Sequence, residues 1–290
     1  RGGCAPAALA RAAERDTLYS APRDRSRGIP GCSECSRLIA VVSDVHANLE
    51  ALRAVMEDID RRDIKSIFFL GDIVGYGPNP LEVLDYLNKF KFCLLGNHDE
   101  AALKGPPRNF NPRAQQSTIW TRKQIDPENL QHKNTTNKAE YERRRKNWQF
   151  LEGLQPLRGL GSLLFVHDYP AAPGSWKYVR KPEDATAGLA KHPERRAIFI
   201  GHSHVAGIFT EGGRYGVPKL EHHYSFTERM VINVGSVGQP RDRDPRASYV
   251  VLDEGFSFVR VAYDVEKTVE KIKAIEDLDD QLGERLREGK

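Results

Sequence analysis

From residue 38 onward short apolar runs recur, and run after run stops on an aspartate or a histidine. The runs at 38–42, 67–70 and 92–95 are too short for globular helices and end in Ser43-Asp44-Val45-His46, Gly71-Asp72 and Gly96-Asn97-His98-Asp99. Between them apolar residues fall at helical spacing, first Leu49, Leu52, Val55, Met56 and Ile59, then Leu81, Leu84 and Leu87. Strands alternating with amphipathic helices imply an α/β fold with a parallel sheet. Residues 100–156 read as polar and helical, anchored by Trp120, Ile125, Leu130, Trp148, Phe150 and Leu154. The remainder is richer in strands, expected at 163–166, 197–200, 230–234, 248–252 and 256–262, before an amphipathic helix over 265–275.

This pattern sets the expected domain limits. Residues 1–37, rich in Ala, Arg, Gly and Pro without apolar periodicity, are expected to form a disordered leader. Residues 38–276 would form the domain, and 277–290 a polar C-terminal tail. The net charge of +4 is concentrated in the leader, where seven Arg face four acids and contribute +3, leaving +1 for the rest. A nearly neutral body lacks the clustered cations of a nucleic-acid-binding face. The run Arg143, Arg144, Arg145 and Lys146 would point in several directions on a helix and reads as a solvated face. No apolar run approaches the roughly 18 residues of a membrane helix, so a cytoplasmic protein without membrane attachment is expected. Cys4, Cys32 and Cys35 lie in the leader and Cys93 in a strand, which makes no disulfide framework. Cys32-x-x-Cys35 has no second ligand pair near it to complete a zinc site. The pattern carries no signal of oligomeric state.

Open α/β sheets bind ligands beyond the carboxyl ends of their strands, which is where the acids and imidazoles collect. On extended backbone Asp44 and His46, two residues apart, would point the same way, as would His202 and His204. Taken singly, each residue has an ordinary reading: Asp44 as a helix cap, Asn97 and Asp99 as turn formers, a histidine as a core or surface side chain. Five of the nine histidines, His46, His98, His167, His202 and His204, nevertheless follow apolar runs, beside the strand-end carboxylates Asp44 and Asp72. Imidazole and carboxylate converging in this way point to a metal site.

The order D-x-H, G-D, G-N-H-D, H and G-H-x-H over about 38–265, with G-D-I-V-G-Y-G-P and the N-V-G-S-V-G-Q-P-R of residues 233–241, resembles the calcineurin-like metallophosphoesterase superfamily in its compact prokaryotic-type branch. The resemblance implies a four-layer α-β-β-α sandwich. Residue by residue, it implies one divalent ion held by Asp44, His46, Asp72 and His204, and a second held by Asp72, Asn97, His167 and His202, with Asp72 bridging. His98 would stay unligated and face the substrate, with Asp99 behind it as orienting partner, while Arg241 would contact phosphate or serve a structural salt bridge. The activity implied is hydrolysis of a phosphate mono- or diester by attack of a metal-bridging hydroxide on phosphorus, His98 protonating the leaving oxygen. Dinucleoside polyphosphate or protein phosphatase activity, or a non-catalytic interaction module on the same fold, are the alternatives. Ligands of this kind without thiolate suit Mn, Fe, Zn, Co or Ni, with Mn the first choice. One position departs from the branch: His167 is followed by Asp168 where glycine is usual, and Asp168 is expected to cap a turn, bind substrate or perturb the second ion. The aromatic residues Trp176 and Tyr178 just beyond it either pack or help select the substrate.

Overall fold

The computed structural model describes residues 38–131 and 138–290. The expected leader with Cys4, Cys32 and Cys35, and the side chain of Leu130, lie outside the described residues.

Strands β1 (Ile39–Val42), β2 (Ser66–Phe69), β3 (Phe92–Cys93), β4 (Leu157–Leu160), β5 (Leu163–Val166) and β6 (Ala197–Ile200) are followed by β7 (Gly207–Thr210), β8 (Tyr215–Gly216), β9 (His223–Tyr224), β10 (Met230–Asn233), β11 (Ala247–Leu252) and β12 (Phe256–Val261). Helices α1 (Leu49–Arg61), α2 (Pro80–Leu84), α3 (Asn97–Lys104), α4 (Pro112–Ile125), α5 (Glu128–Gln131) and α6 (Lys138–Glu152) precede α7 (Pro182–Lys191), α8 (Val265–Lys273) and α9 (Gln281–Glu284). The strands form two six-stranded sheets, ordered β3-β2-β1-β11-β12-β9 and β4-β5-β6-β10-β7-β8.

Alternation along the strands explains the layering, because successive side chains leave a strand on opposite faces. Val41, Phe68 and Val250 of the first sheet meet Phe165, Phe199 and Ile232 of the second in one core between the sheets. Their neighbours Ala40, Val42 and Phe69 face the other way and bury Leu52, Val55 and Ile59 of α1. On the second sheet Ile198, Ile200 and Val231 cover Ala185 and Leu189 of α7. The order is helices, sheet, sheet, helix, which is the expected α-β-β-α sandwich. Helix α1 is started by Asn48, whose side chain accepts from the backbone of Ala51 at 3.1 Å.

Several expectations need correcting. The sheets are mixed rather than parallel: β1, β2 and β3 run parallel, as do β5, β6 and β10, but β11 joins β1 antiparallel. Strands β4, β7, β8 and β9 were not expected. Strand β4 is exposed along its length and β8 and β9 have two residues each, too little for a period-two signal. Trp120 and Ile125 are buried, whereas Phe150 is 41% exposed. Residues 277–290 do not form a polar tail. Leu278 in the bend before α9, Leu282 on α9 and Leu286 in the 3₁₀ turn after it pack against Tyr76, Trp120 and Ile272. The basic run on α6 is matched by acids, with Arg143 on Asp85 at 2.6 Å and Arg144 on Glu140 at 3.0 Å. No described helix is long and apolar enough to cross a membrane.

Candidate metal centre

Asp44 and His46 follow β1, Asp72 follows β2, and Asn97 and His98 open α3 just past β3; from the other sheet His167 follows β5, and His202 and His204 follow β6. The side chains do not converge through extended backbone. Asp44, His46, Asp72, His202 and His204 all have φ between 49° and 64°, the left-handed region that costs a non-glycine residue energy. Such strain persists where surroundings over-determine it. Here the turns cross-brace: Asp44 N–H donates to Gly71 O, His46 N–H to Asp72 O, and Gly238 N–H to Asp44 O, each at 2.9–3.0 Å. Two glycines make the crossing sterically feasible. A Cβ on Gly96 would collide with Asp72, and one on Gly238 with the carbonyl of Val45.

The donor atoms form two groups that share Asp72. Asp44, His46, Asp72 and His204 offer ligand atoms within 4.8 Å of one another, and so do Asp72, His167 and His202; all are buried. Asn97 joins the second group, its Oδ1 lying 3.3 Å from His167 Nε2. Hydrogen bonding shows which imidazole nitrogens face the centre. Nδ1 of His46, His167 and His204 lies 3.2, 3.0 and 2.7 Å from the carbonyls of Val74, Leu70 and Gln239. A carbonyl only accepts, so each Nδ1 carries hydrogen and each Nε2 presents a lone pair inward. His202 is turned over, with Nε2 3.0 Å from the carbonyl of Trp176.

Lone pairs therefore face lone pairs. His46 Nε2 and His204 Nε2 are 3.0 Å apart, His204 Nε2 is 3.1 Å from Asp44 Oδ1, and Asp72 Oδ2 lies 3.6 Å from His46 Nε2 and 3.3 Å from His167 Nε2. Acceptors crowded out of water repel unless a cation or proton lies between them. The donors fit divalent ions on this ground. The titration behaviour agrees. Burial pushes His202 and His204 down to about 4 and about 3, so both are neutral ligand forms. Burial opposes a charge on His167, but Asp72 beside it lifts the imidazole to about 10, so the cluster favours positive charge at this place.

Asp99 does not orient His98. Its carboxylate accepts from the backbone N–H groups of Asp72, Ile73, Val74 and Gly96 at 2.8–3.2 Å, which makes it the brace of the turn carrying Asp72. Burial and the neighbouring Asp72 raise it to about 7. His98 is held otherwise: its N–H donates to Asp72 Oδ1 at 2.7 Å, and its ring packs on Tyr76, His46 and Phe110 with centroids 4.3–5.0 Å away. Among the described residues its Nδ1 has no hydrogen-bond partner. Arg241 makes no structural salt bridge among the described residues; its guanidinium donates to Gln239 Oε1 and lies 5.8 Å from the Tyr76 ring.

Asp168 is a turn cap. Its carboxylate accepts from Gly174 N–H at 3.0 Å and Trp176 N–H at 2.5 Å, fastening the loop that brings Trp176 O to His202 and stacks Tyr178 on the His202 ring at 4.2 Å. Asp168 thus supplies a clasp outside the donor cluster. Asp168→Ala would leave two N–H groups unpaired, at a cost of about 1–3 kcal/mol. The expected result is a melting temperature lowered by roughly 2–8 °C and faster proteolysis within 169–176. Unchanged melting and cleavage would show that the loop holds without the clasp.

A family model described as the calcineurin-like phosphoesterase superfamily domain matches residues 38–255. An uncharacterised protein of Methanocaldococcus jannaschii is 37% identical over 260 residues, spanning 86% of this chain and 97% of that protein. A solved metallophosphoesterase from Sphaerobacter thermophilus is 30% identical, covers 88% of this chain and 99% of its own, and superposes with a TM-score of 0.70. A hypothetical protein from Pyrococcus horikoshii, 19% identical with 87% and 98% covered, shares the fold at a TM-score of 0.64.

Proposed function

The chain belongs to the calcineurin-like phosphoesterase superfamily, and from that premise we propose that it hydrolyses phosphate mono- or diesters at a centre of two divalent metal ions. The observation that carries this reading is the pair of buried donor groups sharing Asp72. Asp44, His46, Asp72 and His204 would hold one ion, and Asp72, Asn97, His167 and His202 the other. Two divalent ions against the two carboxylates of Asp44 and Asp72 leave a positive centre, which selects anionic esters. Bound there, the ions supply Lewis acidity toward phosphoryl oxygen and a hydrolytic water of lowered pKa. Nitrogen and oxygen ligands without thiolate favour Mn, Fe, Zn, Co or Ni, and Mn is the first to test.

The chain's own groups orient and move protons. Asp99 fixes the Asp72 turn by accepting four backbone N–H bonds. The Nδ1–carbonyl bonds of His46, His167 and His204 fix the tautomers that point Nε2 inward. His98 lies beside the donors without being one of them, and serves as the general acid toward the leaving oxygen. Burial, the largest effect, holds His98 well below its usual range against the pull of Asp72. An arriving phosphate anion adds the negative charge that favours the protonated ring.

Elemental analysis of protein supplied with Mn, followed by a panel of phosphomonoesters, phosphodiesters and dinucleoside polyphosphates, tests the proposal. The expected result is about two ions per chain and metal-dependent turnover of at least one ester class. Bound metal without turnover across the panel would favour a non-catalytic interaction module, and absence of stoichiometric metal would overturn the centre itself.

A further inference from the structure

We propose that Trp176 is a positioning residue for the second ion of the centre: its indole N–H, donated to Glu100, latches the loop whose carbonyl aims His202, and this bond tightens the second ion without affecting the first. The inference rests on the two-ion reading and adds to it a residue outside both donor groups. Three of the four candidate ligands of the second ion meet at Trp176. Its backbone carbonyl accepts from His202 Nε2 at 3.0 Å, which leaves Nδ1 as the lone pair that can face an ion. Its indole stands edge-on to the His167 ring, with centroids 6.1 Å apart. Its Nε1–H donates to Glu100 Oε2 at 2.9 Å, and Glu100 lies one turn along α3 from Asn97, which opens that helix. Asn97 arrives from the side of the first sheet and His202 from the second, so the indole–carboxylate bond ties their two supports together.

The imidazoles of the first ion have a different support. His46 and His204 lean on the carbonyls of Val74 and Gln239, in turns bonded directly to the cluster: Val74 N–H donates to Asp99, and Gly238 N–H to Asp44. Trp176 instead lies in residues 169–181, a stretch without helix or strand. With φ at 58° it occupies the left-handed region, which a tryptophan adopts only where its surroundings hold it. Asp168 holds its N–H from the base of the same loop, whereas Glu100 reaches it from the other half of the molecule. The second oxygen of Glu100 accepts from Lys104 Nζ at 2.7 Å, which steadies the carboxylate on α3. Tyr178, stacked on the His202 ring, belongs to the same loop and depends on the same anchor. Freed from Glu100, the loop carbonyl would no longer hold one orientation of His202, and a ligand imidazole without a fixed partner binds metal less tightly.

Mn-loaded full-length protein should be dialysed against graded free Mn, with metal content read by elemental analysis and paired ions told from single ones by electron paramagnetic resonance. The parent is expected to release its ions in two steps. Trp176→Phe keeps the ring and backbone but not the N–H, and Glu100→Ala removes the acceptor. Each should release the weaker ion at about tenfold higher free Mn, with the other step moved by about twofold at most. Glu100→Gln, whose amide oxygen can still accept from the indole, should stay within about threefold of the parent. The double variant Glu100→Ala/Trp176→Phe should be no weaker than either single one, because both remove the same bond. Unchanged release in the single variants, additive losses in the double one, equal weakening of both steps, or a Glu100→Gln defect as large as that of Glu100→Ala would overturn the latch. If Trp176→Phe does not fold, Glu100→Ala against Glu100→Gln decides by the same criterion. A parent without stoichiometric Mn would overturn the two-ion centre and the latch with it, whereas a two-ion parent whose variants behave in any of those ways overturns the latch alone.

Discussion

Asp72→Asn is expected to empty both metal positions and to slow phosphoester hydrolysis by about 10³-fold or more, since several kcal/mol of transition-state stabilisation depart with the ions. Asp72 is the side chain common to the two donor groups, and its Oδ2 lies within 3.6 Å of both His46 and His167. The substitution is nearly isosteric. An amide oxygen at the Oδ1 position still accepts from His98 N–H, now at 2.7 Å, and Asp99 still braces the turn. What is lost is the negative charge that offsets two cations in a buried site, and a bridging ligand. Elemental analysis and turnover measured on one preparation separate the alternatives. Two ions per chain with full activity would remove Asp72 from the bridging role, whereas the loss of one ion alone would make it a ligand of a single position.

His98→Ala should keep both ions and still lose about 10²- to 10⁴-fold in the rate of hydrolysing esters with poor leaving groups. The ring packs against His46 and Tyr76 and belongs to neither donor group, so its removal takes away no ligand. A leaving oxygen of high pKa needs a proton as it departs, whereas p-nitrophenolate scarcely does. The variant's rate should therefore fall more steeply with leaving-group pKa than the parent's, and the defect should shrink for p-nitrophenyl esters. Equal losses across the series with metal intact would make His98 a phosphate-positioning group. Loss of metal would place it among the ligands.

The fold was legible where apolar alternation was strong. The runs at 163–166 and 197–200 became β5 and β6 with unchanged limits, since nothing but a two-sided buried strand accommodates them. Strands β8 and β9, two residues each, are made by their partners' hydrogen bonds and leave no local pattern to read. In the site, residue type and position at strand ends were enough to collect the residues that the two sheets bring together. Conformation was not legible, because nothing in the residue types announces left-handed backbone at Asp44, His46, Asp72, His202 and His204. The partners of Asp99 and Asp168 were misjudged or left open for a related reason: both bond to backbone N–H groups, which every sequence possesses. The packing of the C-terminal segment was missed through composition. Residues 277–290 are mostly polar, yet Leu278, Leu282 and Leu286 carried a helical spacing that would have revealed the packed segment.

The pairing of β1 with β11 has a consequence for how the chain is made. Ile39 lies opposite Leu252, and in the chain all six strands of the second sheet, together with β9, lie between β3 and β11. A nascent chain can lay β2 and β3 beside β1 early, but the other edge of β1 stays uncovered while β4 to β10 are being translated. An open apolar edge of that kind invites wrong partners, and contacts of such sequence separation form slowly. The hydrogen bonds from Val237 and Gly238 to Ser43 and Asp44 also wait for the same late stretch. The corner that gathers the acids and imidazoles is accordingly among the last parts of the molecule to take shape, and until then its earliest-made members, Asp44 and His46, are held by only one side of their frame.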